Sequence, residues 1–233
     1  GGGRIEEVGW WVGWRQGREG VPRRSIKPFA GYSSGLIELK LAQLSQAENI
    51  DEIVLSTNDA EILDFAAQLN LPNLRLHLRD ETLASSLTST DALVAHALDL
   101  IPEGEILWTH VTSPFITAKH YDAIIQSYRE KLGQGYDSLM TTTAIYSFLW
   151  QDEKPMNYDR SKEKWPRTQT LKPIHEVNSG VFLASSDIYR TCNDRIGQRP
   201  YLYELDKITS YDVDWPEDFM IAELIAKSYT PPS

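Results

Sequence analysis

Glu52-Ile53-Val54-Leu55-Ser56-Thr57, followed by Asn58 and Asp59, sets the architecture of this chain. A short apolar run closed by small hydroxyl residues predicts a strand buried within a sheet. Asn58 or Asp59 can accept hydrogen bonds from the first amides of a helix, so Asp59 to Leu69 is expected to be helical. The same succession recurs to either side. Val8 to Trp14 is a brief apolar run, and Leu36 to Ala47 carries Leu36, Ile37, Leu39, Leu41 and Leu44 at helical spacing. Downstream, Leu74 to Leu78 reads as a strand and Ser89 to Leu100 as a helix with Leu93, Ala97 and Leu100 on one side. Glu105 to His110 reads as a strand, Ala118 to Leu132 as a helix and Ser138 to Ala144 as a Thr-rich strand. Strand, loop and helix in repeated order imply the α/β class, with a doubly wound, mostly parallel sheet. Ligands of such sheets sit beyond the carboxyl ends of the strands. Attention therefore falls on the loops Arg15–Gly31, Thr57–Asp59, Arg79–Thr90 and His110–Thr117, all polar and containing small residues.

The pattern changes between Tyr146 and Ile208. Lys154 to Pro173 mixes Pro, Lys and Arg with aromatic residues and holds no period, whereas Val181 to Ala184 returns as a strand and Asp187 to Cys192 as a short helix. Residues 1–233 are read as one domain. Residues 146–208 are expected to form a small excursion from the sheet, serving as a cap or a subunit contact, because loop-rich stretches of this length usually have a function.

Composition narrows the partners. The net charge of −10 argues against a nucleic-acid backbone as the main ligand. Arg15, Arg18, Arg23, Arg24 and Lys27 nevertheless crowd one short stretch, a local cation patch that suits a small polyanion such as a nucleoside triphosphate or, more plainly, a solvated loop. No apolar run approaches the roughly 18 to 20 residues needed to span a bilayer, so no membrane partner is expected. The lone Cys192 excludes an internal disulfide framework and fits a reducing cytoplasm.

Two segments carry chemistry. In the first basic loop, Gly17 and Gly20 let the backbone turn and come close to a ligand, with N–H groups available to phosphate oxygens. Near the other end, Asp212-Val213-Asp214 precedes a helix expected from Trp215-Pro216. Residues at i and i+2 of an extended segment project to one side, so both carboxylates can meet one divalent cation. Hard oxygen ligands favour Mg²⁺, which commonly binds one or two carboxylates plus substrate phosphates. A solvated acidic turn capping the helix is the plainer alternative. His77, His96, His120 and His175 are scattered without metal-ligand spacing, and Thr112-Ser113-Pro114 reads as a turn shaping a pocket floor.

Five collinear segments make the reading specific. Arg15 to Gly31 (R-x-G-x-x-G-V-P-R-R-x-I-K-P-F-A-G), Arg79 to Ser85 with Ser89-Thr90, His110 to Phe115, Arg167-Thr168-Gln169 with Asn178-Ser179-Gly180, and Asp212-Val213-Asp214 resemble, in order, the motifs of the acylneuraminate cytidylyltransferase family, the CMP-sialic acid synthetases and their relatives. The resemblance implies a Rossmann-like nucleotide-sugar transferase fold. It implies transfer of CMP from CTP to the anomeric hydroxyl of a sialic-acid-like 2-keto sugar acid, with Mg²⁺ as cofactor, pyrophosphate as leaving group and a cytoplasmic homodimer as the working unit.

Carried over by position, Arg15 and Arg24 would hold the triphosphate beside Gly17 and Gly20, with Arg24 standing where the family has Lys. Arg79 and Thr90 would help seat the cytidine, and His110, Arg167 and Asn178 would face the sugar or the α-phosphate. Asp212 and Asp214 would carry Mg²⁺, and one of them would assist in deprotonating the attacking hydroxyl. Arg15, Arg24, Asp212 and Asp214 thus form the expected catalytic set. There are departures. Arg18-Glu19 replaces a common Ser-Lys, His110 replaces Gln, and Trp10, Trp11 and Trp14 make the first strand bulkier than expected. His110 leans toward a bacterial acceptor such as legionaminic or pseudaminic acid. A Kdo-like acceptor, or a degenerate nucleotide-binding homologue without turnover, are the alternatives.

Overall fold

The structure, a computed structural model, describes residues 8–13, 26–79 and 89–229. The expected alternation is there. Strand β1 is Val8–Gly13, helix α1 Gly35–Gln46, β2 Glu52–Thr57, α2 Ala60–Gln68 and β3 Leu74–Leu78. They are followed by α3 (Thr90–Leu100), β4 (Glu105–Thr109), α4 (Ala118–Leu132) and β5 (Ser138–Ile145). Side-chain caps start the helices where the sequence offers them. The Asp59 carboxylate accepts from the Glu61 amide at 2.9 Å, and the Ser89 hydroxyl accepts from the Ala92 amide at 3.2 Å.

The second half departs from the expected pattern. A two-residue ribbon pairs β6 (Trp150–Gln151) with β7 (Lys154–Pro155). It is followed by the strand β8 (Ile174–Ser185), helix α5 (Ser186–Cys192), β9 (Pro200–Glu204) and α6 (Pro216–Ser228). Strands β8 and β9 both belong to the central sheet, whose order is β3-β2-β1-β4-β8-β5-β9. The stretch 146–208 is therefore not all excursion: the part that leaves the sheet is essentially residues 146–173. The polar run His175-Glu176-Val177-Asn178-Ser179-Gly180 hid the first half of β8, because its pairing with β5 comes from residues about 30 positions away.

Strands β1 to β4 are mutually parallel, β8 runs antiparallel to both neighbours, and β5 and β9 are parallel to each other. The chain reverses its winding between β1 and β4, which is the switch point where such sheets bind ligands. Successive strand residues serve opposite faces. Ile53, Leu55, Leu107, Val181 and Leu183 pack with α1, α2, α4 and α6, and Val54, Ile106, Trp108, Phe182 and Ala184 pack with α3 and Tyr189 of α5. Each fully buried Leu or Ile contributes about 1.5 to 3 kcal/mol, so these two layers hold the carboxyl edge of the sheet as a rigid platform. Among the described residues no helix is long and apolar enough to cross a membrane.

Candidate active site

Of the sequence-expected residues, Arg79, Thr90, His110, Asn178, Asp212 and Asp214 lie along the carboxyl edge. Gly13, at the end of β1, pairs with Ser56 of β2, and Val12 pairs with Thr109 of β4. The loop that follows β1 thus leaves from the centre of this edge. Arg15, Gly17, Gly20 and Arg24 themselves lie outside the described residues.

On the β2–β3 side, Arg79 is only 2% exposed. Its amide donates to the Thr57 carbonyl at 2.8 Å, and its guanidinium donates to the Ser56 carbonyl at 2.7 Å and to the Ser56 hydroxyl at 3.5 Å. Burial pulls its pKa down to about 10, which leaves it cationic at neutral pH. The Ser56 hydroxyl is also 3.0 Å from His96 Nε2. Burial, and then the charge of Arg79, push the His96 imidazole down to about 4, so it is neutral beside the guanidinium. Thr90 opens α3, whose C-terminus leads back to the start of β4, so Thr90 sits at the same carboxyl edge as Arg79.

On the β8–β5–β9 side, a cavity of about 720 Å³ opens among Asp212, Asp214, Asn178, Glu176, Lys207 and Ser210, together with other residues of β5, β8 and the loop after β9. Asp212 and Asp214 are half-buried, whereas Val213 between them is fully buried, and its amide donates to the Thr112 carbonyl at 2.9 Å. That alternation turns both carboxylates into one cavity, as the i, i+2 spacing predicts. Asp218 holds the segment from the other side: one carboxylate oxygen accepts from the amides of Asp214 (3.1 Å) and Trp215 (2.9 Å). Burial, and then the Asp218 charge, raise the Tyr211 phenol above its ordinary pKa.

Asn178 lines the cavity, but its side chain is largely committed to the protein. Its carbonyl oxygen accepts from the Thr141 hydroxyl at 2.7 Å and the Gly180 amide at 3.0 Å, and its NH₂ donates to the Thr143 hydroxyl at 3.1 Å. Thr143 donates in turn to Ser210 at 3.0 Å, tying β5 and β8 to the loop that carries the aspartates. Ser179 adopts φ 58°, a left-handed conformation that costs a non-glycine residue energy and turns its carbonyl onto His110 Nδ1 at 2.8 Å. A carbonyl only accepts, so His110 carries its proton on Nδ1. Arg167 is not brought into this cavity. It is exposed and precedes a 3₁₀ turn at Thr168–Thr170, with its carbonyl accepting from Thr170.

The profile of the cytidylyltransferase family matches residues 13–224. The chain belongs to that family. A pseudaminic acid cytidylyltransferase of Campylobacter jejuni subsp. jejuni serotype O:2 is 22% identical over 222 residues, covering 91% of this chain and 93% of that protein. An N-acylneuraminate cytidylyltransferase of Streptococcus agalactiae serotype III is also 22% identical, covering 88% of this chain and 50% of its own length. Among solved structures, a CMP:2-keto-3-deoxy-manno-octonic acid synthetase complexed with CTP superposes with a TM-score of 0.64 at 15% identity, over 96% of this chain and 100% of that one. A 4-diphosphocytidyl-2C-methyl-D-erythritol synthase from Anaerococcus prevotii superposes with a TM-score of 0.67 at 13% identity, over 96% and 97%. At those identities the likeness is one of fold, and the fold is that of nucleotidyltransferases.

For a cytidylyltransferase, the edge divides into two regions. Arg79, Thr90 and the end of β1 form one, and Asn178, Asp212 and Asp214 form the other, with His110 bonded to the turn that carries Asn178. Sequence reasoning did not identify Glu176, Lys207 and Ser210 as cavity residues, nor Asp218 as the anchor of the aspartates. Glu176 and Lys207 carry no local motif: Glu176 reaches the cavity through the pairing of β8 with β5, and Lys207 from the loop after β9. Asp218, three residues into a helix that follows an acidic segment, matched the N-terminal capping pattern and could have been found.

Proposed function

We propose that this cytidylyltransferase moves CMP from CTP to the anomeric hydroxyl of a sialic-acid-like 2-keto sugar acid, releasing pyrophosphate. The observation that carries the reading is the cavity where Asp212 and Asp214 converge beside Lys207. Lys207 is the one cation among the described lining residues, against the carboxylates of Glu176, Asp212 and Asp214. An acceptor bearing its own carboxylate needs such a partner, and a neutral alcohol does not. Pseudaminic acid stands first among the acceptors, because the relative of that name aligns along nearly its whole length.

The pair of aspartates fits Mg²⁺. No group of three or more His, Cys, Asp or Glu residues forms a metal cage among the described residues. Two converging carboxylates without a cage suit an ion that takes its remaining ligands from phosphates and water. When bound, Mg²⁺ would neutralise phosphate charge and lower the pKa of a coordinated hydroxyl. The protein's own part is alignment: buried Arg79, held rigid by Ser56, would seat the nucleotide, while His110, Asn178 and Lys207 would orient the sugar acid. In this reading Arg15 and Arg24 would clamp the triphosphate. The protein would work in the cytoplasm as a homodimer through the excursion, where Trp150 and Trp165 are 46% and 62% exposed, Trp150 packs edge-on with Tyr158 and Trp165 edge-on with Phe148.

Incubating the protein with CTP, Mg²⁺ and pseudaminic, legionaminic, N-acetylneuraminic or Kdo acid, and following pyrophosphate release, tests the proposal. Release with one acid names the acceptor. CTP binding with no release from any of them supports a degenerate homologue and rejects the proposed activity. Asp212→Asn and Asp214→Asn are each expected to abolish turnover with the fold retained, and full activity in both would remove the metal assignment.

A further inference from the structure

Lys40 lies on the inner face of α1 and is completely buried, with 0% of its surface exposed. Its Nζ donates to the carbonyls of Ser113 (2.8 Å) and Ile116 (3.2 Å) and to the Tyr121 phenol oxygen (3.0 Å). No carboxylate of the described residues is paired with it. A buried cation without a counter-charge is costly, and desolvation lowers the Lys40 pKa well below its ordinary value. Such a residue must be held by what it bonds.

The proton count fixes the direction of the chain that starts there. The Thr109 hydroxyl is 2.8 Å from the Gly180 carbonyl and 2.7 Å from the Tyr121 oxygen. A carbonyl only accepts, so the single Thr109 proton goes to Gly180, and Tyr121 must donate to Thr109. The Tyr121 oxygen is then an acceptor toward Lys40. All three Lys40 partners are acceptors, which matches the three donors of an ammonium group. The relay runs one way, from Lys40 through Tyr121 and Thr109 to the Gly180 carbonyl, and successive members polarise one another.

Both ends of this relay connect to segments that line the candidate acceptor cavity. Ser113 and Ile116 belong to the loop after β4. That loop includes Thr112, whose carbonyl anchors Val213 between the two aspartates. Gly180 follows the strained Ser179 and the cavity-lining Asn178, and a Cβ added at Gly180 would lie 2.9 Å from Ile116 and 3.0 Å from the Thr141 hydroxyl. The aspartate segment and the Asn178–Ser179 stretch, which line the cavity, are therefore both linked to one buried side chain. Among the described residues, the other side-chain bond from helix α1 to this region is that of Gln43, which donates to the Pro114 carbonyl at 2.8 Å.

We propose that Lys40 is a positioning residue for the transfer reaction. It holds the 110–117 loop, and with it the aspartate segment bonded to Thr112, on α1 and, through Tyr121 and Thr109, fixes the Asn178–Ser179–Gly180 turn, so that both of these segments of the acceptor cavity keep one geometry. The inference rests on the proposed function only in naming the sugar acid as the ligand affected.

The test uses the full-length protein with Lys40→Met, Tyr121→Phe and, as a control, Ile101→Ala. Ile101 is buried in the other core layer, at the edge of the sheet opposite the cavity. In Lys40→Met the KM for the sugar acid is expected to rise by about tenfold or more, with the KM for CTP changed less than about twofold. Tyr121→Phe should shift the same constant by a smaller factor. Ile101→Ala should lower the melting temperature without moving either KM, which separates positioning from general loss of stability. Hydrogen exchange read by mass spectrometry gives an arm that needs no turnover. Residues 110–117 and 178–182 should exchange faster in Lys40→Met, and only the second segment should do so in Tyr121→Phe. Equal KM shifts in Lys40→Met and the control, or unchanged exchange in both segments, would overturn the proposal. If the wild type uses no sugar acid at all, the function proposed above fails while the exchange measurement still decides the role of Lys40. If Lys40→Met does not fold, Tyr121→Phe carries both readouts.

Discussion

Asp218→Ala should do more damage to turnover than to stability. The Asp218 carboxylate accepts from the amides of Asp214 and Trp215, the residues that lead into α6, and Pro216 fixes the backbone at the first helical position. Removing a capping carboxylate costs about 1 to 2 kcal/mol, and losing its charge at a helix N-terminus costs about 0.3 to 1 kcal/mol more. For a protein of this length each kcal/mol lowers the melting temperature by about 2 to 4 °C, so a fall of about 3 to 12 °C is expected. The kinetic effect follows from which amide is released. Asp214 is a candidate Mg²⁺ ligand, and a displacement of about 1 Å in a catalytic group can cost about 100-fold in rate. Pyrophosphate release measured against Mg²⁺ concentration should show kcat reduced by about 10-fold to 100-fold and half-activation at higher Mg²⁺. Asp218→Asn keeps an acceptor oxygen without the charge and should fall between the two. A lowered melting temperature with kcat and Mg²⁺ half-activation both unchanged would refute the reasoning, because the aspartate pair would then not depend on its anchor.

Three further outcomes are expected. Lys207→Ala should raise the KM for the sugar acid by about three- to tenfold and leave the KM for CTP unchanged, and a carboxamide analogue of the acid should lose its disadvantage in the variant. His96 has a folded-state pKa of about 4, below its unfolded value near 6.5, so the unfolded state binds the extra proton between these limits. The stability contributed by keeping His96 neutral is present above about pH 6.5 and is lost as pH falls toward 4, and His96→Asn should make the decline of melting temperature across that window shallower. Gly197→Ala would place a Cβ 2.3 to 2.5 Å from the Asp137 carboxylate, which is held by the amides of Gln198 and Arg199 and the Ser138 hydroxyl. Yielding breaks those bonds, so a loss of about 1 to 3 kcal/mol is expected by thermal unfolding, and it should be smaller when measured in an Asp137→Ala background.

The elements within residues 36–79 and 89–145 were legible because their signals are local. The apolar spacing of Leu36, Leu41 and Leu44 and the strand-ending Ser56-Thr57 each lie within one turn of helix or one strand. The capping oxygens of Asp59 and Ser89 act on residues two or three positions away. Asp212 and Asp214 were legible for the same reason, since alternation about a buried Val213 is a property of three consecutive residues. Strand β9, the ribbon at 150–155 and the first half of β8 were not legible. The stabilising partners of β8 and β9 lie far away in sequence and their residues are polar or begin with proline, and the ribbon is only two residues long on each side, too short to show a period.

The chain's own order of residues was enough to establish the α/β class, the family and the aspartate pair, because periodicity, caps and motif order are encoded between neighbours. Tertiary packing alone assigned Glu176 and Lys207 to the cavity and turned the Asn178 amide largely inward. It alone explains Lys40, a charged residue in an amphipathic helix that any reading of neighbours would leave in water. Its burial follows from acceptors more than 70 residues away, brought together by the sheet, that together match all three of its donors.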